Sequence, residues 1–370
     1  MKIHPSTYVG RLAPSPTGAL HLGNVRTFMI AWLRARSQHG KVIMRMEDLD
    51  HPKDKPGAAA QAIEDLKWLG FDWDEEYVQS ERKAIYAEAT QALFKAGHIY
   101  PCVCSRKDVE SAQSAPHSGD QLFYPGTCRG RFSSYQDAQS FIRKSSPSTG
   151  DAASSPLRLS GAVRKPQPQL GRPSAGDAES LPLRLPCWRF RVPDATTVSF
   201  TDAFAGPYTQ NVSSTLGDFP LARDEGGAGY TLAATLDDLL MGVTEVVRGD
   251  DLLPATPAQI LLSQVLISTL QLQLLSPTPS YCHVPLVVGP DGRRLAKRHG
   301  DTRISFYREQ GRSPESILGY LAASCGWCAP GDSISLAALL PRFTLATIPR
   351  SPFVAASTLN ANILELTANN

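Results

Sequence analysis

The 370-residue sequence is most informative first for what it lacks. It has no long uninterrupted hydrophobic run: the most apolar stretch, Ile260 to Leu275, is broken by Ser263, Gln264, Ser268, Thr269, Gln271 and Gln273. That falls short of the ~20 mostly apolar residues needed to cross a bilayer, so no membrane span is expected. Net charge is nearly absent, with 37 Lys and Arg against 35 Asp and Glu for a formal +2, which excludes a polybasic nucleic-acid coat and an acidic tail protein. No apolar segment separates Lys2 from Arg11, so a secretory leader is not expected either. Seven cysteines, an odd number, do not make a disulfide framework and point to a reducing compartment, the cytoplasm. One further absence is local. Ser145 to Pro186 contains no Phe, Tyr, Trp or Ile and is rich in Ser, Pro, Gly, Ala and Gln, so it cannot bury enough apolar area to offset its ordering entropy. It reads as a disordered surface insertion.

What is present is patterned. The length suggests two or three domains, and 42% apolar residues supply real cores. Tyr8 to Ala13 reads as a short strand, closed by the Pro14–Gly18 turn sequence PSPTG. A helix starts near His21, with Val25, Phe28, Trp32 and Ala35 on one face and Gly40 as its stop. Val42 to Met46 is a second strand running into the acidic Glu47-Asp48-Leu49-Asp50. Strand, loop, helix and strand make a βαβ unit with parallel strands, and in such sheets ligands sit beyond the strands' carboxyl ends. Helices are predicted over Ala59–Leu69 and Arg82–Ala96, each closed by a glycine, Gly70 and Gly97. Regular structure is expected to return at Trp188–Val192 and Thr197–Phe200, with strand-like material from Tyr230 to Val247 around the Asp237-Asp238 pair. Helical periodicity returns at Pro257–Leu275 and Glu315–Ala323, with the polar loop Gly289–Gly300 between them. There is no internal repeat.

The strongest chemical signal is the string from Arg11 through Pro14, Ser15, Pro16, Thr17, Gly18 and His21 to Gly23 and Asn24. It places a tight turn, an imidazole and a glycine at a helix N-terminus, where free N–H groups and the helix dipole attract phosphate. The string resembles the first signature of the class I aminoacyl-tRNA synthetases, in the glutamyl branch. Three further motifs resemble that branch in order: Arg45-Met-Glu47-Asp48-Leu-Asp50, Val247-Arg248-Gly249-Asp250-Asp251-Leu252, and the lysine loop Arg294-Leu-Ala296-Lys297-Arg298-His299-Gly300. In the loop, Arg294 stands where the branch has Lys and Ala296 where it has Ser. The first keeps the charge and the second removes a hydroxyl.

The resemblance implies a Rossmann-like α/β catalytic domain that activates L-glutamate with ATP and Mg²⁺, the ion held mainly by phosphate and water. His21, Gly23, Lys297 and Arg298 would serve ATP. Arg11, Leu12, Ala13, Pro14, Ser15, Glu47, Tyr230 and Arg248 would form the glutamate pocket, with Arg11 and Arg248 supplying cations, Glu47 meeting the α-ammonium and the two hydroxyls completing it. The catalytic domain would comprise residues 1–100 and 218–305, split by an inserted module at 101–217, with a short helical, stem-contact-like segment at 306–370.

Cys102 and Cys104, followed by Tyr124 and Cys128, are the metal candidate: three thiolates plus one oxygen or nitrogen would close a tetrahedral zinc site in a loop-rich module without its own core. From spacing alone His117 competes for the fourth position. The C-x-C…Y-x-x-x-C pattern resembles the queuosine-directed branch of the glutamyl family, which implies Tyr124 as that ligand. Only 45 residues follow Cys325, too few for a helical anticodon-binding domain. That also fits the queuosine-directed branch, which transfers glutamate to queuosine in tRNA(Asp), and implies ATP, L-glutamate and queuosine-bearing tRNA(Asp) as partners of a monomer. A truncated glutamyl-tRNA synthetase charging tRNA(Glu), or a non-catalytic tRNA-binding paralogue, are the other readings. His21, Glu47 and Lys297 are all kept, which tells against the last. Cys325 and Cys328 resemble a dithiol motif, but they follow a helix instead of opening one, and read as two partly buried thiols.

Overall fold

A computed structural model describes residues 7–49, 55–111, 123–145, 185–223, 227–274, 278–293, 295 and 302–355. Arg294, Ala296, Lys297, Arg298, Asp50, His117 and nearly all of the Ser145–Pro186 insertion lie outside them.

The chain opens with β1 (Val9–Leu12), α1 (Leu22–Arg36) and β2 (Lys41–Met46), and β1 pairs parallel to β2 from Val9↔Lys41 to Leu12↔Met44. The βαβ unit expected from the pattern is therefore present. Val25, Met29, Ile30 and Leu33 of α1 are fully buried against the sheet, each contributing about 1.5–3 kcal/mol as apolar side chains taken out of water. The helix ends sooner than Gly40: Ser37 caps it and His39 takes the left-handed conformation. Gly40 serves close approach instead, since a Cβ there would lie 2.5 Å from the Tyr8 carbonyl oxygen.

Helix α2 (Ala58–Trp68) leads to β3 (Glu75–Val78), parallel to β2, and α3 (Lys83–Lys95) to β4 (Ile99–Cys102). Gly70 and Gly97 follow these helices with positive φ, as their spacing predicts. Then come α4 (Arg106–Ser111), α5 (Tyr135–Ser145) and β5 (Cys187–Phe190), the last antiparallel to β4. A hairpin of β6 (Thr197–Asp202) and β7 (Gly206–Asn211) precedes α6 (Val212–Thr215) and β8 (Pro220–Ala222), which joins β5.

Residues Tyr230–Leu240 form helix α7, not the strand-like segment expected. Its residues Leu232 to Leu239 are all buried, Asp237 and Asp238 included, so no exposed polar face marks a helical stripe. Strand β9 (Glu245–Gly249) follows, then a 3₁₀ turn at Asp250–Ala255 that runs into α8 (Thr256–Leu270). Together these form a helix of 21 residues, Asp250–Leu270, which is long and apolar enough to cross a membrane by length and composition, contrary to the reading of the interrupted run. Here Ala258, Leu261, Leu262 and Leu266 pack in one hydrophobic cluster with Leu232, Ala233 and Leu236 of α7 and Tyr86 and Leu93 of α3, as a core helix does. Strand β10 (Ser280–Val284) pairs parallel to β9. The remainder is β11 (Val287–Val288), α9 (Ile304–Glu309), α10 (Pro314–Ala323), α11 (Leu336–Leu339) and β12 (Phe353–Val354), which pairs with β11.

Strand β9 lies beside β1: the Thr244 N–H donates to the Val9 carbonyl at 2.9 Å, and the Val9 N–H to Thr244 Oγ1 at 2.9 Å. The carboxyl ends of β1, β2 and β9 therefore open on one side. They are locked there by charge. Arg45, at the end of β2 and 0% exposed, donates through Nη2 to Glu47 Oε1 at 2.9 Å and through Nη1 to Asp238 Oδ1 at 2.7 Å. Arg11 of β1 also faces Asp238, at 3.5 Å. The neighbouring Asp237 turns the other way and accepts from Gln79, Arg82 and Tyr86.

Removing one member of a buried, hydrogen-bonded ion cluster strands the others. Arg45→Met should therefore lower unfolding stability by about 3–5 kcal/mol, read as a shift of the urea midpoint. A midpoint equal to wild type would show that the cluster does not hold the sheet to α7.

Candidate active site

The amino-acid pocket expected from the sequence draws on four distant segments, and the structure brings the charged members together. Arg11 donates through Nη1 to the Val247 carbonyl at 3.1 Å, next to Arg248. Arg248 approaches the Tyr230 hydroxyl through Nη1 at 3.5 Å. Tyr230 is 43% exposed, yet protein groups crowd its hydroxyl, as expected for a side chain lining a cleft. Its pKa is raised, first by desolvation and then by the charge of Glu47, with Arg248 and Arg11 opposing. Glu47 is likewise pushed up by burial, while Arg45 and Arg11 pull it back. The cleft thus holds two guanidinium groups, one carboxylate and a phenol.

The first loop frames this cleft. Leu12 is wholly buried and Pro14 buried, while Ser15 is exposed on the turn. The Pro14 carbonyl accepts from the Glu47 N–H at 2.9 Å, tying the loop to the end of β2. Ala13 is half-buried between them.

His21 caps α1. Its Nδ1 accepts from the Gly23 N–H at 3.1 Å, and its own N–H donates to Asn24 Oδ1 at 3.1 Å. A Cβ at Gly23 would lie 3.0 Å from the imidazole, so any other residue there would press on the ring where it lies along the helix start. The Leu22 N–H donates to the Thr302 carbonyl at 3.2 Å, and His21 bridges Arg303. The segment that follows the lysine loop is therefore anchored to the His21 turn, although Lys297 and Arg298 themselves fall outside the described residues.

Cys102, Cys104 and Cys128 converge with their sulfurs within 4.8 Å of one another. Cys104 and Cys128 Sγ are 3.6 Å apart, and the Tyr124 hydroxyl lies 3.3 Å from Cys102 Sγ and 3.6 Å from Cys104 Sγ. Zn–S bonds of about 2.3 Å at tetrahedral angles put sulfurs about 3.8 Å apart, so this donor set has the dimensions of one ion's shell. Hydrogen bonds from Cys128 and then Cys187 hold the Cys102 thiol far below its ordinary value. Burial, then the neighbouring sulfurs, keep the Tyr124 phenol protonated, a balance that a bound dication inverts. Arg189 donates to Cys102 Sγ at 3.3 Å and lies 3.8 Å over the Tyr124 ring.

Residue-by-residue reading missed several groups. Cys187 stands opposite Cys102 across β4 and β5. Asp238 was visible as half of an acidic pair, but assigning it to a strand hid its approach to Arg45. Asp202, Thr256 and His283, which surround the back of Arg248, carry no local signal at all. Of the two thiols expected to be partly buried, Cys325 is fully buried and Cys328 partly so, and burial raises both.

Comparison with known proteins agrees with this geometry. Residues 8–149 and 179–335 match the family described as tRNA synthetases class I (E and Q), catalytic domain. The chain is 44% identical over 341 residues to "Glutamyl-Q tRNA(Asp) synthetase" of Rhodopirellula baltica, covering 89% of this chain and 88% of that protein. It is 40% identical over 354 residues to the protein of the same name from Symbiobacterium thermophilum, covering 93% and 94%. A crystal structure of a glutamate tRNA ligase from Elizabethkingia meningosepticum superposes with a TM-score of 0.68 at 24% identity, over 95% of this chain and 68% of that one, and shows the shared fold. Four ordered motifs, a parallel sheet opening on one charged cleft and these matches together mean that the chain belongs to the class I tRNA synthetases of the glutamate and glutamine type, whose catalytic domain it carries.

Proposed function

We propose that this enzyme activates L-glutamate as glutamyl-adenylate and transfers it to the queuosine base of tRNA(Asp). The observation that carries the first step is the convergence of Arg11, Arg248, Glu47 and Tyr230 at the carboxyl ends of β1, β2 and β9. Glutamate has two carboxylates and one ammonium, and two guanidinium groups with one carboxylate are their complement. In this reading Arg11 and Arg248 bind the carboxylate charge and Glu47 accepts from the α-ammonium. Ser15 and Tyr230 supply hydroxyls, and the backbone from Leu12 to Pro14 forms the floor.

An α-carboxylate oxygen then attacks the α-phosphorus of ATP and pyrophosphate leaves. No covalent bond to the protein is needed, so the work is positioning and charge neutralisation. His21 and Gly23 line the triphosphate, and Lys297 with Arg298 serves the phosphates; Mg²⁺, held mainly by phosphate and water, would supply further neutralisation of phosphate charge. In the second step a hydroxyl of the queuosine cyclopentene-diol attacks the adenylate's carbonyl carbon and AMP leaves. Splayed anticodon-loop bases are the accessible part of RNA, so the loop itself enters the cleft. Residues 1–100 and 218–305 serve activation, 101–217 the acceptor, and 306–370 the stem. The names of the relatives at 40% and 44% identity support the acceptor.

Lys297→Ala should slow glutamate-dependent ATP–pyrophosphate exchange by roughly a hundredfold with little change in glutamate KM, because its charge meets phosphate charge that grows in the transition state. An unchanged exchange rate would reject the loop's role. Glutamate should transfer to queuosine-containing tRNA(Asp), survive removal of the tRNA 3′ end and fail on tRNA without queuosine. Efficient charging of tRNA(Glu) at its 3′ terminus would instead establish a minimal glutamyl-tRNA synthetase.

Structural zinc on Cys102, Cys104, Tyr124 and Cys128 belongs to the same reading. Protein purified without chelator should carry about one zinc per chain by metal analysis. Cys102→Ser with Cys128→Ser should remove it, and unchanged metal content would reject this ligand set.

A further inference from the structure

Behind Arg248, away from the cleft, lies a buried polar chain that the pocket itself does not use. His283 of β10 is 0% exposed and Asp202 of β6 2% exposed. Asp202 Oδ2 lies 2.6 Å from His283 Nδ1. Its Oδ1 accepts the backbone N–H groups of Phe204, Ala205 and His283 at 2.9, 2.7 and 3.0 Å. Burial pushes Asp202 up, but His283 and these N–H groups hold it below the usual carboxylate range. An ionised carboxylate only accepts, so the proton of the ring sits on Nδ1 and Nε2 is left as a bare lone pair.

That lone pair faces Arg248, whose Nε–H donates to it at 3.0 Å. Arg248 Nη2 donates to Thr256 Oγ1 at 2.8 Å, and the Thr256 hydroxyl lies 3.0 Å from His283 Nε2 and 3.2 Å from the Leu252 carbonyl, either of which accepts its proton. Tyr281 lies under both groups, its ring centroid 5.5 Å from the Arg248 guanidinium carbon and its plane 12° from that of His283. Two nitrogens of Arg248 are thus held from behind, leaving Nη1 on the Tyr230 side, toward the cleft.

We propose that Asp202 and His283 are positioning residues for amino-acid recognition: Asp202 fixes the imidazole tautomer so that His283 accepts from Arg248 and aims its remaining edge at a substrate carboxylate. This rests on the assignment of Arg248 to glutamate binding. A protonated His283 would set an N–H against the Arg248 N–H. Burial lowers the His283 pKa, and the nearby Arg248 and Arg11 act in the same direction while Asp202 opposes them. Asp250 and Tyr281 are the other titratable groups near the ring.

The test measures KM for glutamate and for ATP in pyrophosphate exchange, with thermal unfolding alongside, for wild type, Arg248→Ala, His283→Leu, His283→Gln and Asp202→Asn. Wild type must show glutamate-dependent exchange, and Arg248→Ala must raise the glutamate KM. If either fails, the pocket assignment falls, whatever the His283 variants do. If both hold, His283→Leu and Asp202→Asn should raise the glutamate KM about tenfold or more and leave the ATP KM unchanged, because the lost contact is one buried charge-assisted hydrogen bond. His283→Gln, which restores an acceptor near the Nε2 position, should recover most of that loss. Wild-type KM values in both variants, or parallel loss for both substrates without rescue by Gln, would overturn the proposal. Should His283→Leu not fold, ¹⁵N NMR of the His283 ring decides the matter. The Nδ1–H tautomer in wild type should give way to Nε2–H in Asp202→Asn, where an amide N–H faces the ring, and an unchanged tautomer would overturn the proposal.

Discussion

Arg45 carries a full positive charge with no contact with water, between Glu47 two residues along and Asp238 from a helix nearly two hundred residues away. Desolvating such an ion costs several kcal/mol, and the cost is met only if both carboxylates arrive in register. That requirement sets β2, α7 and the end of β1 relative to one another, since Arg11 shares Asp238. The cleft is a by-product of the same constraint. Glu47 is held by Arg45 at its back, and burial alone would raise its pKa further than it does with Arg45 and Arg11 beside it. Arg45 and Arg11 thus oppose, from within the protein, the rise that burial imposes on the carboxyl group at the cleft.

The sequence is legible where punctuation is strong. Pro14, Pro16, Gly18 and the apolar face of Val25, Phe28 and Trp32 define the first βαβ unit without help, because turn chemistry and period agree. Cys102, Cys104 and Cys128 are close enough in sequence for their spacing to announce a shared site, whereas Tyr124 beside them is singled out only by the family resemblance. Legibility fails where elements are buried on every side. In α7 burial on every side, of Asp237 and Asp238 as well as the apolar residues, leaves no polar face to show a helical period. The interruptions of Ile260–Leu275 by Ser and Gln similarly conceal that α8 and its leading turn make one long apolar helix. His283 is silent for another reason: its partners come from β6, β9 and α8, and nothing local in the sequence marks that meeting.

The cysteine cluster and the cleft solve opposite electrostatic problems with similar parts. At the cluster, Arg189 sits over Tyr124 and touches Cys102, so positive charge favours the anionic sulfur. In the cleft, Asp238 faces Arg11, while neutral groups, His283 and Thr256, hold Arg248. Each place takes part of its groups from strand ends, Cys102 of β4 at the cluster and Arg11 and Arg248 of β1 and β9 in the cleft, where backbone hydrogen bonding fixes the Cα positions.

The β6–β7 hairpin has a consequence for how freely this architecture can be rearranged. By sequence it belongs to the stretch between the two halves of the parallel sheet, and such insertions are the usual places to trim, swap or split a chain. Yet Phe200 packs on Tyr281 and Asp202 closes over His283 inside the sheet itself. Excising the intervening stretch would leave a bare imidazole and an uncovered aromatic face in the interior. Recombination with a relative would have to carry Asp202 and His283 across together, or neither. The hairpin thus makes two segments about eighty residues apart in the chain a single unit of inheritance.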